Sequence, residues 1–212
     1  MILYGRYLSP YVRRVAITLR LHGLAYEHRR MLPWRDLASV QAVNPLGRVP
    51  ALRLDDGSVM VESGVILDYL DHEVGPGRAL VPLLDRGARR AVLDVVALAE
   101  GTTDKAIELE TERHLRPKGK ESREIHDRFQ SQTVAGLAAL EARLESDWFV
   151  GNRLCQADVT TGVLTDYLSR MLPDLMPEAR YPRLEAHRAR CRQLPAFLET
   201  PLESAAPALP LP

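Results

Sequence analysis

The hydrophobic rhythm of the chain changes once, at a cluster of breaker residues, Gly75-Pro76-Gly77 and Pro82. Before that point, short apolar runs alternate with short helical patterns. Ile2-Leu3-Tyr4 is a strand candidate, and Tyr7-Leu8-Ser9-Pro10 is a loop. Val12, Val15, Ala16 and Leu19 then recur at helical spacing up to Gly23. Pro10 suits the first helical position, because its missing N–H would be unpaired there anyway. Tyr26 to Met31 reads as a second strand, broken by Leu32-Pro33-Trp34, and residues 36–43 as a short helix before Asn44-Pro45. Asp56-Gly57 between two apolar runs signals a hairpin. Val65, Ile66, Leu67, Tyr69 and Leu70 then mark a helix over about Gly64 to Glu73. The order β-α-β-α-β-β-α predicts a small mixed four-stranded sheet. The βαβ unit requires a parallel pair, and the hairpin adds an antiparallel edge.

After Pro82 the pattern is helical only. Helices are predicted from Arg86 to about Glu112, from Ser122 to Glu145, from about Ala157 to Met171 and from Pro182 to Leu194. The tail from Thr200 is rich in Ala, Leu and Pro and is predicted to be extended or disordered. The expected division is a first domain over 1–76, a linker over 77–85, a helical domain over 86–199 and a tail over 200–212.

Composition narrows the function. Lys plus Arg and Asp plus Glu both number 28, so no global field attracts nucleic acid or anionic lipid, and neither is an expected partner. The two cysteines, Cys155 and Cys191, are too few for a disulfide scaffold or zinc cluster and fit a reducing compartment. The N-terminus lacks a basic stretch followed by a long apolar one, so no signal peptide is expected. No apolar run reaches about 18 residues, so no membrane span is expected and the expected location is the cytoplasm. Glu100, Asp104 and Glu108 share a helical side, but no histidine falls at matching spacing and no metal is expected. Glu62-Ser63 lies where a helix begins, and that N-terminus suits an anionic ligand as well as a simple cap.

Four motifs together resemble the cytosolic glutathione S-transferases, and more closely the bacterial type with an active-site serine. They are Leu8-Ser9-Pro10-Tyr11-Val12-Arg13-Arg14-Val15, Asn44-Pro45-Leu46-Gly47-Arg48-Val49-Pro50-Ala51-Leu52, Val61-Glu62-Ser63-Gly64-Val65-Ile66-Leu67-Asp68-Tyr69-Leu70, and Phe149-Val150-Gly151 with Gln156-Ala157-Asp158-Val159. The resemblance implies an α/β thioredoxin-like N-terminal domain followed by an all-α helical-bundle domain, a homodimer, and glutathione as co-substrate for a small electrophile. It also implies a cis Val49-Pro50 bond that turns the Val49 backbone toward an extended peptide ligand. Glu62 would accept from the γ-glutamyl ammonium, and Ser63 with the helix N-terminus would donate to its carboxylate. Arg48 is placed to reach a glycyl carboxylate, or is a solvated surface arginine.

Ser9 is the chemical candidate. The nucleophile is the glutathione thiolate, and a free thiol titrates near ~8.5. A nearby hydroxyl donor favours the charged form. Ser9 thus acts as a donor to the nucleophile, or only as an N-cap, with Tyr7 and Tyr11 as rival hydroxyls. The electrophile pocket is expected at the domain junction, with Tyr11, Trp34 and the helix from Gly101 to Lys105 as candidates. The helical domain departs from the family pattern at Cys155, where Ser or Thr usually caps. A thiol is a poor acceptor, although Asp158 can still reach back to the Cys155 N–H.

The leading function is glutathione transfer. Glutathione-dependent peroxide reduction needs only the same thiolate, and a non-catalytic glutathione or ligand carrier is a further alternative. Thiol-disulfide exchange would need a cysteine near Ser9, which is absent. Maleylacetoacetate isomerisation is disfavoured, because the serine- and cysteine-rich motif of those enzymes is absent.

Overall fold

In the computed structural model, which describes residues 1–177 and 179–203, Ile2–Tyr4 forms an inner strand, β1. The sheet order is β2-β1-β3-β4, with β2 at Glu27–Arg29, β3 at Ala51–Arg53 and β4 at Val59–Val61. β1 runs parallel to β2 and antiparallel to β3, and β4 is antiparallel to β3. The mixed four-stranded sheet anticipated from the alternation is therefore present.

Helix α1, Pro10–Leu21, begins at the Ser9 cap. It ends at Gly23, whose φ of 66° lets the Leu24 N–H return to the Leu19 carbonyl at 2.9 Å. The short α2 covers Leu37–Gln41, and α3 covers Ser63–Val74. Val12, Val15, Ala16 and Leu19 of α1 share one buried cluster with Leu3, Leu52 and Ile66, Leu67 and Leu70 of α3. Burying each large apolar side chain contributes roughly 1.5–3 kcal/mol relative to exposure. The helical spacing legible in the sequence is therefore what fastens both helices to the sheet.

The segment after α3 is pinned by one carboxylate. Asp71, 1% exposed, accepts from the Leu80 and Val81 N–H groups at 2.8 and 2.9 Å and lies 3.0 Å from His22 Nε2.

The described chain divides into two compact units, Met1–Arg89 with Gln193–Glu203, and Arg90–Arg192. The second unit is helical, built from most of α4 (Arg86–His114), α5 (Arg123–Arg143), α6 (Gln156–Met171), a 3-10 turn (Pro173–Leu175) and α7 (Pro182–Arg192). α6 is buried from Gln156 to Leu168. The Thr165 hydroxyl is satisfied locally, donating to the Thr161 and Gly162 carbonyls. α5 approaches α4 at Gly136, where an added Cβ would come 2.0 Å from Thr102 Oγ1. No helix among the described residues is long and apolar enough to cross a membrane.

The end of the chain differs from the expected division. A short α8, Pro195–Leu198, was not predicted, and residues 193–203 group with the first unit rather than with the helical domain. Thr200, expected to open a loose tail, is fully buried. Residues 204–212 of that expected tail lie outside the described residues.

Asp158 organises the start of α6. It accepts from the Cys155 N–H at 2.8 Å and the Phe149 N–H at 2.9 Å, and its Oδ1 lies 3.2 Å from His187 Nε2. The backbone half of the anticipated cap is thus made. The Cys155 thiol faces the Asp158 backbone in a capping-box arrangement and is also a donor, which a poor acceptor can still be. It donates to Asp158 Oδ2 at 3.1 Å, while the Asp158 N–H goes to the Cys155 carbonyl at 3.1 Å. Burial, then the adjacent Asp158 charge, pushes the thiol up from 9.0 to about 12.

Three stability outcomes follow from these carboxylates. Asp71→Ala leaves the buried Val81 N–H and the part-buried Leu80 N–H without an acceptor and should cost about 2–4 kcal/mol in urea unfolding. Cys155→Ser supplies a stronger donor to Asp158 and should add about 0.5–1 kcal/mol at neutral pH. Because the folded thiol holds its proton to higher pH than the unfolded one, its contribution is complete below the unfolded pKa. It is lost as pH rises from 9.0 toward about 12. The melting temperature of the wild type should therefore fall more steeply than that of Cys155→Ser across this range.

Candidate functional site

The strand register gathers three chain breaks at one end of the sheet. Tyr4 pairs with Ala51, and Ala51 pairs with Val61. Since β1 and β4 are both antiparallel to β3, the residues after Tyr4, before Ala51 and after Val61 lie together. These are the Gly5–Ser9 loop, Val49-Pro50 and Glu62-Ser63. Gly5 shows how close they come. It has φ +128°, and an added Cβ would lie 3.0 Å from Val49 Cβ and 2.5 Å from Val12 Cγ2.

The first loop is a turn closed by Ser9 N–H donating to the Arg6 carbonyl at 3.0 Å. Ser9 Oγ accepts from the Val12 N–H at a long 3.4 Å, capping α1. A hydroxyl that accepts for the cap keeps its own proton to donate elsewhere, so capping and donation to a ligand are compatible. The Tyr7 hydroxyl is engaged differently. It lies 2.9 Å from the Tyr26 hydroxyl, and the Tyr7 ring stacks on His28 with centroids 4.0 Å apart. Burial, then the Tyr26 hydrogen bond, holds this phenol well above the usual tyrosine range. Tyr7 is therefore a core residue at 8% exposure, and a poor rival to Ser9.

The second break contains the anticipated cis bond between Val49 and Pro50. Asn44 shapes its approach. The Asn44 Nδ2 donates to the Arg48 carbonyl at 2.8 Å, and its Oδ1 accepts from Leu46 N–H at 3.0 Å. Asn44 is 1% exposed. The motif contained it, but its bracing role depends on a loop geometry that spacing does not reveal.

At the third break Glu62 has φ 66° and ψ 116°, the one non-glycine with positive φ among the described residues. A bulky residue held in that region is strained, as is common at ligand clamps. Its carboxylate does not cap α3 and instead lies 3.3 Å from Arg48 Nη1, with both side chains about half exposed. The family resemblance places Arg48 and Glu62 at opposite ends of a ligand, yet here they pair with each other. Such an exposed pair is worth about 0–1 kcal/mol and opens easily.

Ser63 is buried at the first position of α3. Its Oγ accepts from Arg14 Nη2 at 2.9 Å, and Arg14 is 2% exposed. Arginine has no acceptor, so the Ser63 hydroxyl proton remains available to a ligand. Sequence reading missed Arg14, because neighbouring arginines on a helix read as a solvated face.

The remaining candidates are less informative. Trp34 is 70% exposed between β2 and α2. Tyr11 is half-buried in α1. Lys105 belongs to the second unit, where its ammonium lies 2.7 Å from Glu108 Oε2 and 5.4 Å from the Phe129 ring centroid. Among the described residues, no group of three or more His, Cys, Asp or Glu side chains is arranged to hold a metal.

A thioredoxin-like sheet unit followed by a helical unit defines the class. Comparison with known proteins narrows it. Residues 3–78 match the glutathione S-transferase N-terminal domain, and residues 123–190 match the glutathione S-transferase C-terminal domain. A glutathione S-transferase from Methylobacterium radiotolerans, solved with glutathione sulfonate, superposes with a TM-score of 0.90 at 31% identity, covering 97% of this chain and 95% of that one. A second, from Methylobacillus flagellatus with glutathione bound, gives 0.88 at 30% identity over 94% and 98%. A probable maleylacetoacetate isomerase from Vibrio cholerae is 31% identical over 214 residues, 96% of each chain. The chain belongs to the glutathione S-transferase family.

Gly5→Ala should force a left-handed conformation and a clash with Val12 and Val49 at the point where the first two breaks meet. The expected cost is about 2–4 kcal/mol, read as a lowered urea midpoint with unchanged slope.

Proposed function

We propose that the protein is a glutathione transferase that stabilises the thiolate of bound glutathione for attack on a small hydrophobic electrophile. The observation that carries this reading is the convergence of Ser9, Val49-Pro50 and Glu62-Ser63 at one sheet end, in a chain whose structural relatives hold glutathione sulfonate or glutathione. In this reading the extended peptide backbone of glutathione pairs with Val49. Its γ-glutamyl ammonium meets Glu62, displacing part of the Arg48 contact. Its carboxylate receives the Ser63 hydroxyl proton and the N-terminal amides of α3. Arg14 behind Ser63 adds buried positive charge at the same end.

Ser9 Oγ then donates to the sulfur. The thiol proton leaves to solvent, the thiolate forms a bond to the electrophilic carbon, and the leaving group departs or the adjacent π bond takes up the electron pair. Tyr11 and Trp34, with Lys105, are our candidates for the electrophile side. No metal is assigned to the reaction, which we propose takes place with glutathione and the electrophile alone.

A second reading has a specific observation behind it. The Vibrio cholerae relative and a maleylacetoacetate isomerase from Pseudomonas aeruginosa, 32% identical over 167 residues, carry that name. In an isomerase the thiolate adds to a cis double bond, the resulting single bond rotates, and expulsion of the thiolate restores the double bond. Glutathione is regenerated. The absence of the serine- and cysteine-rich motif ranks this reading second.

Three measurements separate the readings. Glu62→Ala should lose retention on immobilised glutathione, whereas equal retention would refute the site. Ser9→Ala should lower turnover with an activated aryl halide by about 10²-fold, the order of losing one donor to a developing or stabilised anion. Full activity would move the thiolate donor elsewhere. Transfer consumes glutathione stoichiometrically, whereas conversion of maleylacetoacetate without glutathione consumption would favour the isomerase.

A further inference from the structure

The turn that delivers Ser9 is held by a residue 196 positions away from Tyr7 in sequence. Glu203 Oε1 accepts from the Tyr7 N–H at 3.1 Å, inside the turn that Ser9 closes onto Arg6. Glu203 Oε2 accepts from Arg6 Nε at 2.9 Å and lies 3.0 Å from Arg30 Nη2. One carboxylate therefore grips two of the four residues of the turn. Its side chain is 18% exposed, and such charge-assisted bonds are about twice as strong as neutral ones.

Glu203 arrives there on a strap fastened to α1. Arg13 Nε donates to the Thr200 carbonyl at 2.8 Å, and the Arg13 guanidinium lies over the Phe197 ring at 5.4 Å. Arg20 pairs with Glu199 at 3.0 Å. Other contacts of the turn act at different atoms. His28 Nε2 lies 2.7 Å from the Gly5 carbonyl, and the His28 and Tyr26 contacts hold the Tyr7 ring. The Tyr7 amide itself is held by Glu203.

We infer that Glu203 is a positioning residue for the Ser9 hydroxyl, acting through the Arg6-Tyr7-Leu8-Ser9 turn. The inference rests on the reading of Ser9 as donor to the glutathione sulfur. A hydroxyl stabilises an anion only within a narrow distance and angle, so a displaced turn loses the effect without emptying the glutathione site. Glu203 touches the turn, not the ligand.

The test uses full-length Glu203→Ala, Glu203→Gln, Ser9→Ala and the Ser9/Glu203 double substitution, with Glu199→Ala as a control on the strap. The thiol pKa of bound glutathione is read from thiolate ultraviolet absorbance across pH, alongside kcat and KM for glutathione and the thermal midpoint. Glu203→Ala should raise the bound thiol pKa and lower kcat about tenfold, with KM changed less than about threefold. Glu203→Gln, which keeps an acceptor for the Tyr7 amide, should retain most of the rate. Glu199→Ala should leave the thiol pKa unchanged. In the Ser9→Ala background, loss of Glu203 should bring no further shift. A shift in Ser9→Ala with none in Glu203→Ala overturns the role of Glu203 alone. Additive shifts would mean that Glu203 acts independently of Ser9, and they overturn it too. No shift in Ser9→Ala overturns the Ser9 reading and this inference with it. A lowered thermal midpoint in Glu203→Ala with unchanged thiol pKa assigns the carboxylate to stability only.

Discussion

The candidate site depends on one constraint, the backbone register that sets Tyr4 opposite Ala51 and Ala51 opposite Val61. Three short strands, each of three residues, bring three distant stretches to one sheet end. A slip of one residue would reverse every side chain on the strand. It would carry Leu52 out of the core and turn the neighbouring Val49-Pro50 segment away from its position. The apolar contacts of Leu3 and Leu52 with α1 and α3 oppose such a slip. Core packing and site geometry are thus the same requirement.

Buried charged groups fix what the apolar core leaves free. Asp71 holds the segment after α3, Asp158 holds the start of α6, and Arg14 stands behind Ser63. Apolar packing has no direction, whereas a carboxylate accepting two amides specifies where those amides lie. Each of these groups spends its charge on hydrogen bonds in the interior, as a buried ion must. Around the site the same logic leaves hydroxyl protons available. Ser63 accepts from Arg14, and Ser9 accepts weakly from the cap, so both retain a proton for an anionic partner.

The return of residues 193–203 to the first unit adds a third layer of control. It sets Glu203 against the turn that ends at Ser9, and Glu199 and Thr200 against α1. A loop carrying a chemical group is ordinarily the most mobile part of a fold. Here it is closed by its own turn, stacked at Tyr7 and gripped at the amide.

Local pattern was enough for the elements and the class. The spacing of Val12, Val15, Ala16 and Leu19, the breakers at Gly75 to Pro82 and the Asp56-Gly57 turn signal all depend on neighbours within a few residues. So does the recognition of the motifs around Ser9, Pro50 and Ser63. What the sequence could not express were interactions between residues far apart along it. The Arg14–Ser63 bond, the Arg48–Glu62 pair and the short α8 with its strap arise only after folding. The same holds for the Cys155 thiol, which donates to Asp158 because its N–H and side chain face one carboxylate. The sequence by itself determined the strands and the longer helices, though not the short α8, because hydrophobic periodicity is local and needs more than one turn to show. Only the tertiary structure decided which polar groups meet, because hydrogen bonds depend on distance and angle across the fold.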